Sequence, residues 1–267
     1  MIRTAGTTLH HIFRNNFGLN YVEISKKNFT PNDLKRLLRF NKNIRAIGGH
    51  PLRSITRLDS VYPDLKYITF LRDPFDRFVS HYNHGINRKH HHMSLEERVK
   101  IPGEANYQTK FLLGAQGFEE RGLTLGSKEL NTAKKIIAED FSFVGLAEQF
   151  DESLILMKEI LNLDDLNINY EKMHVTQRKH ITKDKISQNL LEEISEANKI
   201  DYELYCFVRD KLFEKQKQKY KSDFIRVVNN FKQTNINYKF KKSKILKYRL
   251  GKYLVYRPMF KLASYFS

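Results

Sequence analysis

The chain has 267 residues, 40% of them hydrophobic, with 19 Phe, 14 Tyr and one cysteine. That is enough apolar material for one large α/β domain; it excludes a mini-protein, a wholly disordered chain and any internal disulfide. Lys and Arg total 47 against 30 Asp and Glu, a net +17, and the 11 basic residues after Asp223 face no acidic one. The first 223 residues carry the remaining +6, so a mildly basic body is followed by a strongly basic tail. Such a balance attracts polyanions: nucleotides, nucleic acid, acidic glycans or anionic lipid.

In chain order, Thr4-Ala5-Gly6-Thr7-Thr8 forms a small-residue turn. Leu9, Ile12 and Phe13 follow at helical spacing, and Gly18 is placed to end that helix. Lys26 to Asn43 is a polar stretch, and Ile44 to His50 a short strand closing on Gly48-Gly49-His50. Leu65 to Leu71 is the clearest strand, rich in β-branched and aromatic residues. Asp73 caps the next helix, with Pro74 at its first position and Phe75, Phe78, Val79 and Tyr82 on one face. Asn83 to Gly103 reads as a surface excursion. Ser127 to Glu139 is a helix and Phe141 to Leu146 a strand. Asp151 caps a helix to about Leu161, and helices cover Ile186 to Ala197 and Tyr202 to Lys215. Strands alternating with helices predict an α/β fold, P-loop-like and three-layered, with a central parallel sheet flanked by helices. The expected division is a domain over 1–223 and a basic extension over 224–267.

Three constellations can carry chemistry. Arg3 to Thr8 opens a helix, where unpaired N–H groups and the helix dipole favour an anion. Gly6 permits close approach, Thr4, Thr7 and Thr8 add hydroxyls, and Arg3 adds charge. Walker A spacing is absent, and an ordinary capped helix explains the same residues. Arg72 ends a strand, where ligands of open α/β sheets bind, and Ser80 lies two turns into the following helix. Together they can grip one phosphate; alternatively Arg72 and Asp73 are a surface pair. His50 follows two glycines past a strand end and suits a general base, or is a structural histidine.

Taken in order, Arg3-Thr4-Ala5-Gly6-Thr7-Thr8, Gly49-His50, Arg72-Asp73-Pro74 through Ser80 and Tyr82, Phe143 through Glu148 with Asp151-Glu152-Ser153-Leu154, and Asp201 through Tyr205 resemble a known family. It is the carbohydrate sulfotransferases that use PAPS (3′-phosphoadenosine 5′-phosphosulfate), in particular the hexuronyl 2-O-sulfotransferase branch. The resemblance spans about residues 1–215 and leaves out the tail. It implies that Arg3, Thr4, Ala5, Gly6, Thr7 and Thr8 hold the 5′-phosphosulfate, that Arg72 and Ser80 hold the 3′-phosphate, and that His50 takes the proton from the acceptor hydroxyl. Arg3 joins His50 in catalysis as a cation at the leaving oxygen; no metal is implied. The family has Pro-Lys where this chain has Ile2-Arg3, and arginine's fork is broader than lysine's ammonium. A phosphate loop of this type also follows a strand of roughly five or six residues, whereas here the loop begins at residue 3. The expectation is a sheet lacking its first strand, which a short apolar segment encoded upstream would supply; an inactive relative is the other outcome.

The expected partners are a glycan acceptor, acidic if it carries uronic acid, and an anionic membrane touched peripherally by the tail, with no specific nucleic acid. For the tail itself, glycan binding or docking on the body by its apolar side are the other readings. The rivals are a nucleotide-dependent kinase, against which stands the missing Walker lysine, and a non-enzymatic polyanion- or membrane-binding module. Asn106, Thr109 and Lys110 are further candidates to approach donor or acceptor. His81 and His84 read as partly exposed, Cys206 as a buried small hydrophobe, and Arg88 to His92 as a basic loop. The lone cysteine and missing signal segment fit the cytoplasm; an anchored relative would lie in the Golgi lumen.

Overall fold

The computed structural model describes residues 1, 3–87, 93–115, 124–171, 181–220 and 223–263. Four short strands are arranged as two parallel pairs among thirteen described α-helices. Strand β1 (Tyr21–Glu23) pairs with β2 (Ala46–Gly48), Val22 opposite Ile47. Strand β3 (Tyr67–Leu71) pairs with β4 (Phe141–Leu146), Leu71 opposite Leu146. The architecture is mixed α/β with parallel strands flanked by helices, as the sequence pattern implies. The single central sheet is divided, however: β2 and β3 are not paired, and a cavity of about 550 Å³ lies between them.

Helix α1 (Gly6–Phe17) ends at Gly18, whose φ of 53° is a conformation that suits glycine. The stretch read as polar holds α2 (Pro31–Phe40), fixed by a capping box between Thr30 and Asp33 and burying Leu34 and Leu37. Helix α3 (Pro74–Asn87) starts as expected, the Asp73 carboxylate accepting from the Asp76 N–H at 3.0 Å. It runs past Asn83, and α4 (Leu95–Val99) buries Leu95, Arg98 and Val99, so Asn83 to Gly103 is not simply a surface excursion. Arg88 to His92 lies outside the described residues.

Helix α5 (Tyr107–Leu112) is wholly buried. Helix α6 (Ser127–Glu139) and β4 have the bounds the sequence gives them. Helix α7 (Phe150–Ile160) is preceded by Gln149, which places Asp151 in its first turn rather than at its cap. Helices α8 (Gln188–Ala197) and α9 (Lys199–Phe207) follow, and α9 continues through a π-helical turn into α10 (Glu214–Gln218).

The tail forms α11 (Phe224–Asn235), α12 (Lys242–Leu250) and, after a π-helical turn, α13 (Arg257–Ala263). It docks on the body by its apolar side. Phe231, Phe240 and Tyr248 enter the main core beside Ile12, Leu146 and Leu204. Tyr256 enters the cluster around β1 and α2, donates to the Leu19 carbonyl at 2.6 Å and accepts from Asn41 at 2.8 Å. Lys252 pairs with Glu23 at 2.5 Å.

Candidate active site

The loop before α1 is held in an unusual backbone conformation. Arg3 (φ 65°) and Ala5 (φ 61°) both occupy the left-handed region, which costs a non-glycine residue roughly 1–3 kcal/mol. Such turns aim successive N–H groups into one concavity, the geometry of an anion nest. Ala5 stands at the cap position without a capping side chain, and the first turn of α1 has no acidic residue. The opening N–H groups of α1 therefore have no helical acceptor and face an uncancelled dipole. Thr4 is buried and Thr7 exposed. A Cβ added at Gly6 would make only ordinary van der Waals contact, with the Met1 carbonyl at 3.9 Å, so the loop is not tightly packed there.

Arg3 links this loop to α3. Its Nε donates to Ser80 Oγ at 3.0 Å, and its Nη1 lies 3.4 Å from His84 Nδ1. Arg72 reaches the same place from the end of β3, its Nη1 3.5 Å from the Arg3 carbonyl. Loop, strand end and helix thus converge, and the residues assigned to two phosphates lie in one patch. His84, read from sequence as a partly exposed bystander, belongs to it.

Arg72 is fixed by its backbone. Gln108 accepts from its N–H at 2.9 Å and donates to its carbonyl at 2.8 Å, a side-chain amide standing where a strand neighbour would. Glu148 lies 3.9 Å from the Arg72 Nε, accepts from the Asp73 N–H at 3.0 Å and from the Tyr205 hydroxyl at 3.0 Å. The Asp201 to Tyr205 motif therefore supports the site from behind. Asp201 is fully buried and accepts from the Gln108 and Thr109 N–H groups at 2.9 and 2.7 Å, orienting Gln108.

Asn106 bonds to Asp201 on α9 and to Asn198 at its cap, Thr109 bonds to Asp201, and Lys110 donates to the Pro102 carbonyl at 2.7 Å. His81 joins Arg98 on the buried Glu104, at 2.9 and 3.2 Å. Cys206 is half-buried, 3.7 Å from an Arg209 nitrogen.

His50 lies beyond β2, exposed at the cavity that also borders Met1, Thr4 and Gly6. Its pKa is lowered to about 4, first by partial loss of solvent where the ring meets the cavity rim, then by the Met1 ammonium and Arg53. The ring is neutral at pH 7 and able to accept a proton. Arg53 donates to the His50 carbonyl and stacks 3.6 Å over Phe111, pinning the turn. The two glycines before His50 serve the protein's own packing: a Cβ at Gly48 would lie 2.3 Å from the Tyr21 hydroxyl, and one at Gly49 2.3 Å from the Ile24 carbonyl. Sequence reasoning passed over His10, which contacts the Tyr21 hydroxyl and whose pKa burial lowers to about 4.

Among the described residues no group of three or more His, Cys, Asp or Glu side chains is arranged to hold a metal ion. No helix among them is long and apolar enough to cross a membrane. No curated protein matches the chain. A family model described as "Sulfotransferase family" matches residues 3–208, from the strained loop through α9. That match covers most of the chain and every element that builds the patch, and the chain belongs to the sulfotransferase family.

Proposed function

We propose that the protein transfers a sulfuryl group from PAPS to a hydroxyl of a carbohydrate or glycan acceptor, with His50 as general base. The observation that carries the reading is the convergence of Arg3, Arg72 and Ser80 at the open start of α1. The donor set fits an anionic nucleotide: helix-start N–H groups without a helical acceptor, two guanidinium groups, threonine hydroxyls and no tight packing against Gly6. The N–H groups of Gly6, Thr7 and Thr8 would hold the 5′-phosphosulfate, and Arg72 and Ser80 the 3′-phosphate. PAPS supplies the sulfuryl group, which passes to the acceptor oxygen as PAP leaves.

His50 accepts the acceptor hydroxyl's proton through its neutral ring. Arg3 offers positive charge near the loop, where the leaving oxygen gains negative charge. Arg53 and the packing glycines keep the His50 turn in place. A hexuronyl 2-O acceptor is the finer reading; the basic body supports an acidic glycan. The test is transfer of ³⁵S from labelled PAPS to a panel of uronic-acid-containing and neutral glycans. Label appears in a glycan with wild type and not with His50→Ala. PAP binding without label in any glycan would overturn the acceptor reading.

The tail supports a second role. Leu246, Leu250, Tyr253 and Leu254 are exposed on the face opposite the buried Tyr248 and Tyr256, beside Lys242, Lys247 and Arg249. An apolar stripe flanked by cations suits peripheral contact with an anionic membrane. The protein should sediment with vesicles containing phosphatidylglycerol and not with phosphatidylcholine alone, and Leu250→Ser with Leu254→Ser should abolish this. Sedimentation unchanged in that double variant would contradict it.

A further inference from the structure

We propose that Gln108, with the buried Asp201 behind it, is a positioning residue for the 3′-phosphate of the nucleotide: it sets the direction in which Arg72 leaves β3, and so gives the site its preference for a 3′-phosphorylated ligand. The inference rests on the reading of Arg72 and Ser80 as the 3′-phosphate ligands and deepens it. The end of β3 argues for it first. Leu71 accepts from the Ala147 N–H across the β3–β4 ladder at 2.8 Å. Successive residues of a strand face opposite neighbours, so the N–H and C=O of Arg72 point away from β4. Gln108 takes both through one amide: Oε1 accepts from the Arg72 N–H at 2.9 Å and Nε2 donates to the Arg72 carbonyl at 2.8 Å. The two peptide planes that meet at the Arg72 Cα are thereby fixed, and with them the bond that carries the side chain.

The head group of Arg72 is held far less firmly. Its Nη1 lies 3.5 Å from the Arg3 carbonyl and its Nε 3.9 Å from Glu148, both beyond the reach of a strong hydrogen bond, and the side chain is 30% exposed. Long, partly solvated contacts of this kind do little to hold a side chain in one geometry. The aim of the guanidinium is therefore set at the backbone, which is the part that Gln108 grips.

Gln108 is itself placed from α9. It is fully buried on α5, whose cap residue Asn106 makes no side-chain cap. The Asp201 carboxylate caps that helix instead, Oδ2 accepting from the Gln108 N–H at 2.9 Å and Oδ1 from the Thr109 N–H and hydroxyl at 2.7 and 2.8 Å. The same carboxylate attracts Arg77, a fully buried guanidinium on α3. Arg77 donates to the Glu104 carbonyl at 3.1 Å and lies 5.0 Å over the ring of Tyr107, the neighbour of Gln108 on α5. Ser80 stands one turn beyond Arg77 on α3. Asp201 is thus the common reference for both phosphate ligands, reaching Arg72 through Gln108 and Ser80 through Arg77. Buried opposite charges are often no more stabilising than apolar side chains of the same volume. What this arrangement provides is a fixed span between Arg72 and Ser80.

The test compares PAP with adenosine 5′-monophosphate, which lacks the 3′-phosphate, by calorimetry on wild type, Gln108→Met, Arg72→Ala and the double variant. Methionine keeps the volume of glutamine and removes the amide. Wild type should bind PAP more tightly than the monophosphate. Gln108→Met should lower PAP affinity about tenfold and leave affinity for the monophosphate within about twofold of wild type. The double variant should bind PAP within about twofold of Arg72→Ala alone, because the two substitutions remove one interaction. Urea unfolding accompanies each variant. Should Gln108→Met not fold, Gln108→Asn, whose amide is one methylene too short for the clamp, takes its place with the same expectations. A PAP preference lost in Arg72→Ala but kept in Gln108→Met would overturn the proposal while upholding the 3′-phosphate ligands. So would additive losses in the double variant, or PAP and monophosphate affinities that fall together in Gln108→Met. Wild type that binds PAP no better than the monophosphate would remove the 3′-phosphate reading, and this inference with it.

Discussion

Arg3 is bound twice across the site: its Nε donates to Ser80 Oγ at 3.0 Å, and its carbonyl lies 3.5 Å from the Arg72 guanidinium. The residue that opens the strained loop is thus tied to both the strand end and the helix that face it. A fork is needed for this, since Nη1 also reaches His84. Arg3→Lys keeps the charge but not the fork. PAP affinity should fall about tenfold, the worth of one charge-assisted hydrogen bond, with little change in melting temperature. Calorimetry with PAP checks this; unchanged affinity would show that Arg3 contributes charge alone.

The glycines of the site divide by what surrounds them. At Gly49 a Cβ would press on the Ile24 carbonyl at 2.3 Å, and backbone cannot swing aside. Gly49→Ala should destabilise the β1–β2 pair by about 2–3 kcal/mol in urea unfolding. At Gly6 nothing lies within 3.4 Å, so Gly6→Ala should leave stability within about 0.5 kcal/mol of wild type while weakening PAP binding by placing a methyl group at the loop. The opposite pattern would mean that Gly6 is the packing glycine.

His50 has its pKa lowered to about 4 from 6.5. The folded state binds fewer protons than the unfolded chain between those values, so its contribution to stability is complete above about 6.5 and is lost as pH falls through about 4. The same shift keeps the base neutral in mild acid. The transfer rate should stay level from pH 8 to about 6 and fall only toward pH 4. A limb centred near 6.5 in the pH–rate profile would show a ring with an ordinary pKa.

Glu23 joins tail to body. Burial alone would raise its carboxyl, but Lys252, Tyr248 and Arg14 outweigh that and hold it at about 2, against an ordinary 4.5. Its contribution is therefore complete above pH 4.5 and disappears as pH falls through about 2. Glu23→Gln should cost about 2–3 kcal/mol at neutral pH and much less at pH 2 to 3. Urea unfolding across pH checks it; an equal cost at every pH would exclude the ion pair. Deleting the tail after Asp223 is a blunter probe, because it takes Phe240 and Tyr248 out of the main core.

The parts of the fold legible in the sequence are those whose signals are local. Ser127 to Glu139 and Phe141 to Leu146 carry a complete apolar period between clear boundaries. Helix α2 escaped notice because Leu34 and Leu37 are set among charges, although Thr30, Pro31 and Asp33 spelled its start. Strand β1 has three residues, too few to show alternation, and exists through its pairing with β2. The site followed the same rule. Arg3, Arg72 and Ser80 stood in motifs, and the fold brings them together. Glu148 too stood in a motif, Phe143 to Glu148, whereas Gln108 and His84 act there only because helices and strands distant in sequence meet, which no local pattern records.

The most direct measurement is calorimetric titration of PAP into wild type, Arg72→Ala and His50→Ala. PAP should bind wild type, lose roughly 10–100-fold in affinity with Arg72→Ala, and bind His50→Ala as it binds wild type. Binding that ignores Arg72, or no binding by wild type, would contradict the assignment of this patch to the donor nucleotide.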